Sequence, residues 1–187
     1  MDNGASSYRR FLNGEEDGLI GLVEEYKDGL ILYLNGYVNN LHIAEELTED
    51  TFFRLITKKP RFSGKSTFKS WLYAIGRNIA IDFIRHNSKQ ISVPIEDMKN
   101  YLTEEQCLEE SYIKDEEKIT VYKALSKLPP DYRNAIWLVY FEGFSNKEAA
   151  TALKKSDRQL KNLLYRAKQS LKSILEKEEG FNYEKQQ

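Results

Sequence analysis

Two stretches of this sequence combine residue types that bind nucleic acid. The first, FKSWLYAIGRNIAIDFIRHNSK at residues 68–89, carries cations, an aromatic ring and an amide opposite its apolar stripe, namely Lys69, Tyr73, Arg77, Asn78, Arg85 and Lys89. Bases stack on aromatic rings while Lys and Arg hold phosphates, so this face suits single-stranded nucleic acid. An ordinary amphipathic helix with a solvated charged face fits the same pattern, and both interpretations stay open at this point.

The second stretch, SNKEAATALKKSDRQLKNLLYRAKQSLKSIL at residues 145–175, has the layout of a helix-turn-helix. Ser145 and Glu148 are spaced as a capping box at the start of a short helix. A break over residues 154–156 precedes a long basic helix, which is predicted to bury Leu160, Leu163 or Leu164, Ala167, Leu171 and Ile174. The second helix of such a unit reads the major groove of DNA.

The formal net charge of −1 conceals a strong segregation of charge along the chain. Residues 54–89 hold nine Lys and Arg against the single acid Asp82, and residues 154–177 hold eight against two acids. Between them, residues 91–119 hold nine acids against three Lys. The net charge of the whole chain therefore does not argue against nucleic-acid binding, because two local basic surfaces remain.

The sequence offers little for covalent chemistry. Cys107 is the single cysteine, and His42 and His86 are the only histidines, so no cluster of metal ligands and no internal disulfide is expected. We find no catalytic constellation or phosphate loop, and we expect a protein that is not an enzyme and uses no cofactor. With no signal peptide and no apolar run that would span a bilayer, we expect a cytoplasmic protein without membrane insertion.

Helical periodicity runs through almost the whole chain and predicts an all-α fold. The motif LNGYV at 34–38 resembles a hairpin turn, but helical spacing continues across Gly36, so we interpret it as helix. A second helix is predicted from near Ala44 until Pro60, and a third from a loop capped by Ser66 or Thr67. Residues 91–117 are predicted to be an acidic linker, and four helices are predicted to surround a small core in residues 118–177.

The two stretches in this order resemble the extracytoplasmic-function (ECF) sigma factors of the sigma-70 family. LPPDYRNAIWLVYFEGFSNKEAATALKKSDRQLKNLLYRAKQSL resembles their C-terminal sigma-4 domain, while AEELTEDTFFRLI and the 68–89 stretch resemble helices of their sigma-2 domain. The resemblance implies two small helical domains, sigma-2 at 18–90 and a four-helix sigma-4 domain at 118–177. An extension at 1–17, the acidic linker and a tail at 178–187 complete the predicted organisation.

The resemblance also implies roles for individual residues. Core polymerase would be bound by Glu45, Glu46, Glu49, Asp50, Phe52 and Arg54. The minus-10 element would be melted and held by Lys69, Trp71, Tyr73, Arg77, Asn78 and Arg85. The minus-35 element would be contacted by Lys155, Arg158, Lys161, Asn162, Tyr165 and Arg166.

Simpler explanations exist for some of these residues. The acids at 45–50 suit the positive end of a helix dipole, and Trp71 lies on the buried stripe of its helix. Asp82 and Arg85, three apart on one helix, are placed to pair with each other. The linker, which resembles family linkers that run through the polymerase channel, is equally well explained as a solvated tether.

The expected partners are core RNA polymerase and promoter DNA, and the resemblance implies an anti-sigma factor as well. A stand-alone repressor or activator that uses only the helix-turn-helix is the alternative, but it leaves residues 44–89 unexplained. An enzyme of small-molecule metabolism is a third possibility that no motif supports.

Overall fold

The computed structural model describes residues 2–87 and 124–177, and all regular structure in those two ranges is helical. The N-terminal bundle (residues 2–87) consists of α1 (Asn3–Leu12), α2 (Glu16–Val38), α3 (Leu41–Lys58) and α4 (Phe68–Asn87). The C-terminal bundle (residues 124–177) consists of α5 (Pro130–Ile136, continued by a π-helical turn at Trp137–Phe141), α6 (Asn146–Ala152) and α7 (Asp157–Lys177), preceded by a helical turn at residues 124–126. The predicted all-α class is confirmed. The predicted acidic linker, Lys89 and the C-terminal tail lie outside the described residues.

Helix α2 crosses Gly36 without a break, so the helical interpretation of LNGYV is correct. The turn comes immediately afterwards, where Asn39 adopts a left-handed conformation with φ 50°. The side chain of Asn40 accepts a hydrogen bond of 2.9 Å from the backbone N–H of Ile43 and so caps the next helix. Because these two asparagines end one helix and start the other, α3 begins at Leu41, slightly before the predicted start.

The core of the N-terminal bundle forms around α2, which contacts α1, α3 and α4. Its fully buried aliphatic side chains include Leu22, Leu30, Leu34, Leu55 and Leu72. At one end of the bundle an aromatic cluster joins α1, the 59–67 loop and α4, with ring centroids 5.2 to 5.6 Å apart among Tyr8, Phe62, Phe68 and Trp71. Trp71 is half-buried in this cluster, which agrees with its place on the predicted buried stripe.

Helix α1 lies in the segment that sequence analysis treated as an N-terminal extension. Its buried residues are only Gly4 and Tyr8, so it has no apolar stripe that periodicity could detect. Besides the aromatic contacts of Tyr8, polar contacts hold it in place: the Tyr8 hydroxyl donates to the Pro60 carbonyl at 2.8 Å. The Asp2 carboxylate accepts hydrogen bonds from Ala5 N–H at 3.1 Å and from Phe68 N–H at 2.6 Å. One side chain therefore caps both α1 and α4.

The C-terminal bundle contains the capping box predicted at Ser145 and Glu148. Pro130 occupies the first position of α5, and Ser145 and Glu148 form both hydrogen bonds of a capping box at α6. Between α6 and α7 the chain turns at Lys154, which has φ 53°. The helices enclose the buried side chains Leu138, Ala149, Leu153, Leu160, Leu164 and Ala167.

A buried arginine ties α5 to the turn that precedes it. The Arg133 side chain is nearly inaccessible and donates to the backbone carbonyls of Leu125, Ser126 and Leu128. It also donates to the side-chain oxygen of Asn39 in the N-terminal bundle at 3.2 Å. The two bundles are in direct contact, with α5 on α2 and α6 on α4.

Replacing Asp2 by alanine is expected to lower the free energy of unfolding by about 1 to 2 kcal/mol, because a helix N-cap that accepts from free N–H groups is lost. Asp28→Ala, which removes an exposed carboxylate from the middle of α2, serves as the matched control and should change stability by less than about 0.5 kcal/mol. Urea titrations followed by circular dichroism provide the comparison. Equal midpoints for the two variants would show that Asp2 is not a structural cap.

Candidate nucleic-acid interface

Helix α7 presents a polar, cationic face to solvent. Five of the six residues predicted to contact the minus-35 element lie on this face and are exposed: Arg158, Lys161, Asn162, Tyr165 and Arg166. Their spacing of three and four residues places them on one side of the helix, opposite the buried residues of the C-terminal core. Tyr165 is 68% exposed although it is a large aromatic residue. The face is open to a binding partner.

The turn before α7 is fixed by local hydrogen bonds. The Ser156 hydroxyl accepts from Gln159 N–H at 3.2 Å, and the Gln159 side chain accepts from Ser156 N–H at 2.8 Å. Lys155, the sixth predicted minus-35 residue, is half-buried, and its ammonium group lies 3.0 Å from the Asp131 carboxylate of α5. Its charge is therefore partly neutralised within the bundle.

The start of α6 is stabilised by charge as well as geometry. Glu148 accepts from the backbone N–H of Ser145 at 2.8 Å and from its hydroxyl at 2.6 Å. These hydrogen bonds lower the pKa of Glu148 below its ordinary value, with the hydroxyl contributing most. Glu148 therefore stays charged at neutral pH, and its negative charge is favourable at the N-terminus of α6.

On α4, Asn78 lines a cavity of about 520 Å³. Trp71, Ile75, Ile81 and Asp82 of the same helix contribute to its walls, together with Arg54, Pro60 and Lys154. The cavity thus combines an amide, an indole and aliphatic surface with cations at hand. Polar and apolar side chains line the cavity in equal number, so it offers a flat heterocycle both a surface for stacking and groups for hydrogen bonds.

Arg77 and Arg85 occupy different environments on α4. Arg77 is half-buried beside the Tyr33–Tyr37 pair of α2, whose hydroxyls lie 3.1 Å apart. Burial raises the pKa of Tyr37, and the positive charge of Arg77 opposes that rise. Arg85 is exposed and donates to Asp82 at 3.1 Å, so the predicted pairing of these two residues is confirmed.

Lys69 and Tyr73 are not on an open face, in contrast to the sequence analysis. Tyr73 is fully buried, its hydroxyl donates to the Glu142 carboxylate at 2.8 Å, and its ring lies 5.2 Å from that of Phe144. The Lys69 ammonium lies 2.8 Å from the same carboxylate and donates to the Glu142 carbonyl at 2.8 Å. Burial, reinforced by the Glu142 charge, raises the pKa of Tyr73 well above its ordinary value, so the hydroxyl remains a donor. Helical periodicity could not reveal this arrangement, because Glu142 and Phe144 come from the other bundle.

The predicted polymerase-binding residues lie along α3. Glu46, Glu49, Asp50 and Arg54 are exposed and Glu45 is half-buried. Phe52 is buried, being 6% exposed.

The sequence analysis missed the exposed aromatic residue of this helix. Phe53 is 62% and Ile56 is 41% exposed, and both line a shallow cavity of about 370 Å³ with Val23, Lys27, Thr48, Glu49 and Phe52. The signal was present, because the buried positions of α3 place Phe52 inward and its neighbour Phe53 about 100° away around the helix. An apolar patch flanked by carboxylates results.

Comparisons with known proteins find matches to two parts of the chain. Residues 22–90 match the family described as Sigma-70 region 2, and residues 118–171 match Sigma-70, region 4. The curated protein ECF RNA polymerase sigma factor SigM of Bacillus subtilis is 28% identical over 154 residues, which cover 82% of this chain and 92% of SigM.

Two solved structures have the same fold. One is CnrH in complex with the cytosolic domain of CnrY, with a TM-score of 0.63 and 19% identity over 94% of this chain and 96% of that one. The other is the sigma factor RpoE in complex with the anti-sigma factor NepR from Bartonella quintana, with a TM-score of 0.61 and 21% identity over 83% of this chain and 95% of that one. Within the described ranges, no helix is long and apolar enough to cross a membrane. With both sigma-70 regions matched in order along one chain, this protein belongs to the ECF sigma factors of the sigma-70 family.

Proposed function

We propose that this protein, an alternative sigma factor that directs core RNA polymerase to initiate transcription, reads its promoters through the α4 and α7 faces described above. The observation that carries the proposal is the coexistence, in one chain, of the open cationic face of α7 and the Asn78 cavity of α4. Duplex DNA is read by side chains of a helix that enters a groove, which suits the open face of α7. Unpaired bases need a surface that stacks on them and hydrogen-bonds to them, which suits the Asn78 cavity of α4. A stand-alone repressor would leave the region 2 match at residues 22–90 without a role.

At the minus-35 element, α7 would enter the major groove. Lys161, Asn162, Tyr165 and Arg166 are placed to reach base edges, while Arg158 and Lys155 would hold the phosphate backbone. A well-placed Arg or Lys on guanine, or Asn on adenine, supplies about 1 to 3 kcal/mol of discrimination. Lys155 would have to leave Asp131 or share its charge with a phosphate.

At the minus-10 element, the cavity beside Asn78 would receive a base extruded from the nontemplate strand. Extrusion costs a few kcal/mol, which stacking and hydrogen bonds to the base edge have to offset. Asn78 supplies an amide for the base edge, and the half-buried Trp71 supplies part of an apolar wall. Arg77 and Arg85 on the same helix, with Lys69 and Tyr73 once uncovered, would follow the strand.

Core polymerase would dock on α3. Glu45, Glu46, Glu49 and Asp50 form an acidic surface that suits a basic partner helix, with Arg54 at its edge. Phe53 would be the apolar anchor of this surface, and the buried Phe52 would support it from below.

The remaining functional proposals follow from the family. The protein performs no covalent chemistry itself and acts in the cytoplasm, where core polymerase and promoter DNA are found. The similar structure of RpoE is a complex with the anti-sigma factor NepR, which supports an anti-sigma factor as a partner of this chain.

Run-off transcription tests the proposed function directly. Purified protein added to core polymerase with a library of promoter fragments is expected to produce promoter-specific transcripts. If no transcript appears while the protein alone footprints a palindromic site, a stand-alone regulator is the correct assignment.

Asn78→Ala is expected to reduce strand opening about tenfold while duplex binding by the holoenzyme changes little, since one hydrogen-bonding base contact of about 1 to 3 kcal/mol is lost. Permanganate reactivity measures opening and gel shift measures binding. Asn162→Ala, an equal truncation on α7, is the matched control and should weaken duplex binding instead. Equal losses of both quantities in Asn78→Ala would contradict the assigned role.

Phe53→Ser is expected to weaken the affinity for core polymerase at least tenfold, because the apolar anchor of the α3 surface is removed. Fluorescence anisotropy of labelled protein titrated with core polymerase measures the change. Leu12→Ser, which removes an aliphatic side chain of 40% exposure from the end of α1, is the control and should bind normally. Unchanged affinity in Phe53→Ser would place the docking surface elsewhere.

A further inference from the structure

Part of the wall of the Asn78 cavity rests on α1, a helix that precedes the match to Sigma-70 region 2 at residues 22–90. Tyr8 of this helix is 1% exposed, and its hydroxyl donates to the backbone carbonyl of Pro60 at 2.8 Å. The centroid of the Tyr8 ring lies 5.5 Å from that of Trp71. Because Pro60 and Trp71 both line the cavity, one side chain of α1 contacts two of its wall residues.

Pro60 lies at a point where the backbone adopts an unfavourable conformation. Lys59, directly before it, is left-handed with φ 42° and ψ 52°. This conformation is uncommon for a residue with a side chain, and a following proline favours extended backbone instead. Such a conformation persists only where surrounding contacts fix it. Helix α1 supplies one contact through the Tyr8 hydroxyl on the Pro60 carbonyl. It supplies another through the Phe11 ring, whose centre lies 5.4 Å from the Lys59 ammonium.

Trp71 is held from the same side of the bundle by the aromatic cluster. Its ring centroid lies 5.2 Å from that of Phe62 and 5.4 Å from that of Phe68. Tyr8 packs on Phe68 as well, with 5.4 Å between the ring centroids. Asp2, just before α1, accepts from the backbone N–H of Phe68 at 2.6 Å and so fixes the start of α4. A base that stacks on Trp71 would therefore meet a wall whose position depends on α1.

The contribution of Tyr8 is indirect, because its side chain does not line the cavity. Burial raises the pKa of Tyr8 above its ordinary value, so the hydroxyl stays protonated and remains a donor at neutral pH. The hydroxyl and the ring act on different parts of the wall, the first on the backbone of the loop and the second on the indole.

We propose that Tyr8 is a positioning residue for base capture, which holds Pro60 and Trp71 where the Asn78 cavity can receive an extruded base. This inference rests on the proposed function, since the cavity is the site assigned to the minus-10 element. A misplacement of about 1 Å is enough to weaken a reaction strongly, so a residue that touches no DNA can still control strand opening.

Tyr8→Phe tests the proposal, because it keeps the ring and removes the hydrogen bond to Pro60. Tyr33→Phe is the matched control: Tyr33 is fully buried on α2, its hydroxyl lies 3.1 Å from that of Tyr37, and it does not line the cavity. In the holoenzyme, we expect Tyr8→Phe to reduce permanganate-detected strand opening about fivefold, because one orienting hydrogen bond is lost. Duplex binding in gel shift should stay unchanged, and Tyr33→Phe should change neither quantity.

Abasic DNA separates positioning from general destabilisation. The probes are the single-stranded nontemplate minus-10 segment of a promoter identified by run-off transcription, and a set of the same oligonucleotide in which each nucleotide in turn lacks its base. Fluorescence anisotropy measures their binding to the holoenzyme. At the position where base removal cancels the difference between wild type and Asn78→Ala, it should also cancel the difference between wild type and Tyr8→Phe.

Fluorescence of Trp71 tests the geometry without DNA or polymerase. In the full-length chain, Trp137→Phe leaves Trp71 as the single tryptophan. In that background, we expect acrylamide to quench Trp71 more strongly when Tyr8→Phe is added and equally well when Tyr33→Phe is added.

Unchanged strand opening or unchanged quenching in Tyr8→Phe would overturn the proposal. An equal loss of affinity for the intact and all abasic oligonucleotides would do so as well, because it would show general destabilisation. Absence of promoter-specific transcripts from wild type would count against the proposed function itself. If wild type transcribes and Tyr8→Phe behaves like Tyr33→Phe, only the role of Tyr8 is wrong.

Discussion

The burial of the second half of α2 on every side is the constraint on which the rest of the structure depends. Each residue from Leu30 to Tyr37 is buried, so this part of the helix has no face that could remain in water. A helix that is apolar around its whole circumference has to be surrounded by other elements. Within the N-terminal bundle α2 contacts α1, α3 and α4, and α5 of the C-terminal bundle packs on it as well. Association of the two bundles is thus a consequence of the composition of α2.

The contact between α2 and α5 differs in its chemistry from the contacts that α2 makes within the N-terminal bundle. The contacts within the N-terminal bundle join aliphatic and aromatic side chains, which stabilise the fold by about 1.5 to 3 kcal/mol for each large side chain buried. The contact with α5 instead places amides, a guanidinium and a carboxylate between the helices. Polar contacts of this kind contribute little net stability, because the same groups are well hydrated when separated. The contact between the bundles is therefore more polar than the contacts within the N-terminal bundle, although the Phe144 ring packs on Tyr73 across it.

Much of the helical architecture was predictable from local patterns. The continuity of α2 through Gly36, the capping box at Ser145 and the Asp82–Arg85 pair depend on interactions within four residues along the chain, and these were predicted correctly. The break predicted at residues 154–156 also lies between α6 and α7, although α6 already ends at Ala152. Helix α1 was missed because its attachment depends on Asp2 and Tyr8, which contact residues more than fifty positions away. Phe53 was passed over in favour of Phe52, although the periodicity of α3 distinguishes the two. The roles assigned to individual residues toward DNA and polymerase stay predictions.

The sequence by itself determined the helical class, the order of the two sigma-70 regions and the cationic face of α7, because spacing of three and four residues and charge segregation are properties of the linear chain. Only the tertiary structure decided which cations and aromatics are free. Lys69 and Tyr73 share the polar side of α4 with Asn78 in sequence, yet a carboxylate from a helix seventy residues away covers the first two. Periodicity identifies the face of a helix that points away from the core of its own bundle. It cannot show whether that face is exposed to water or covered by another bundle.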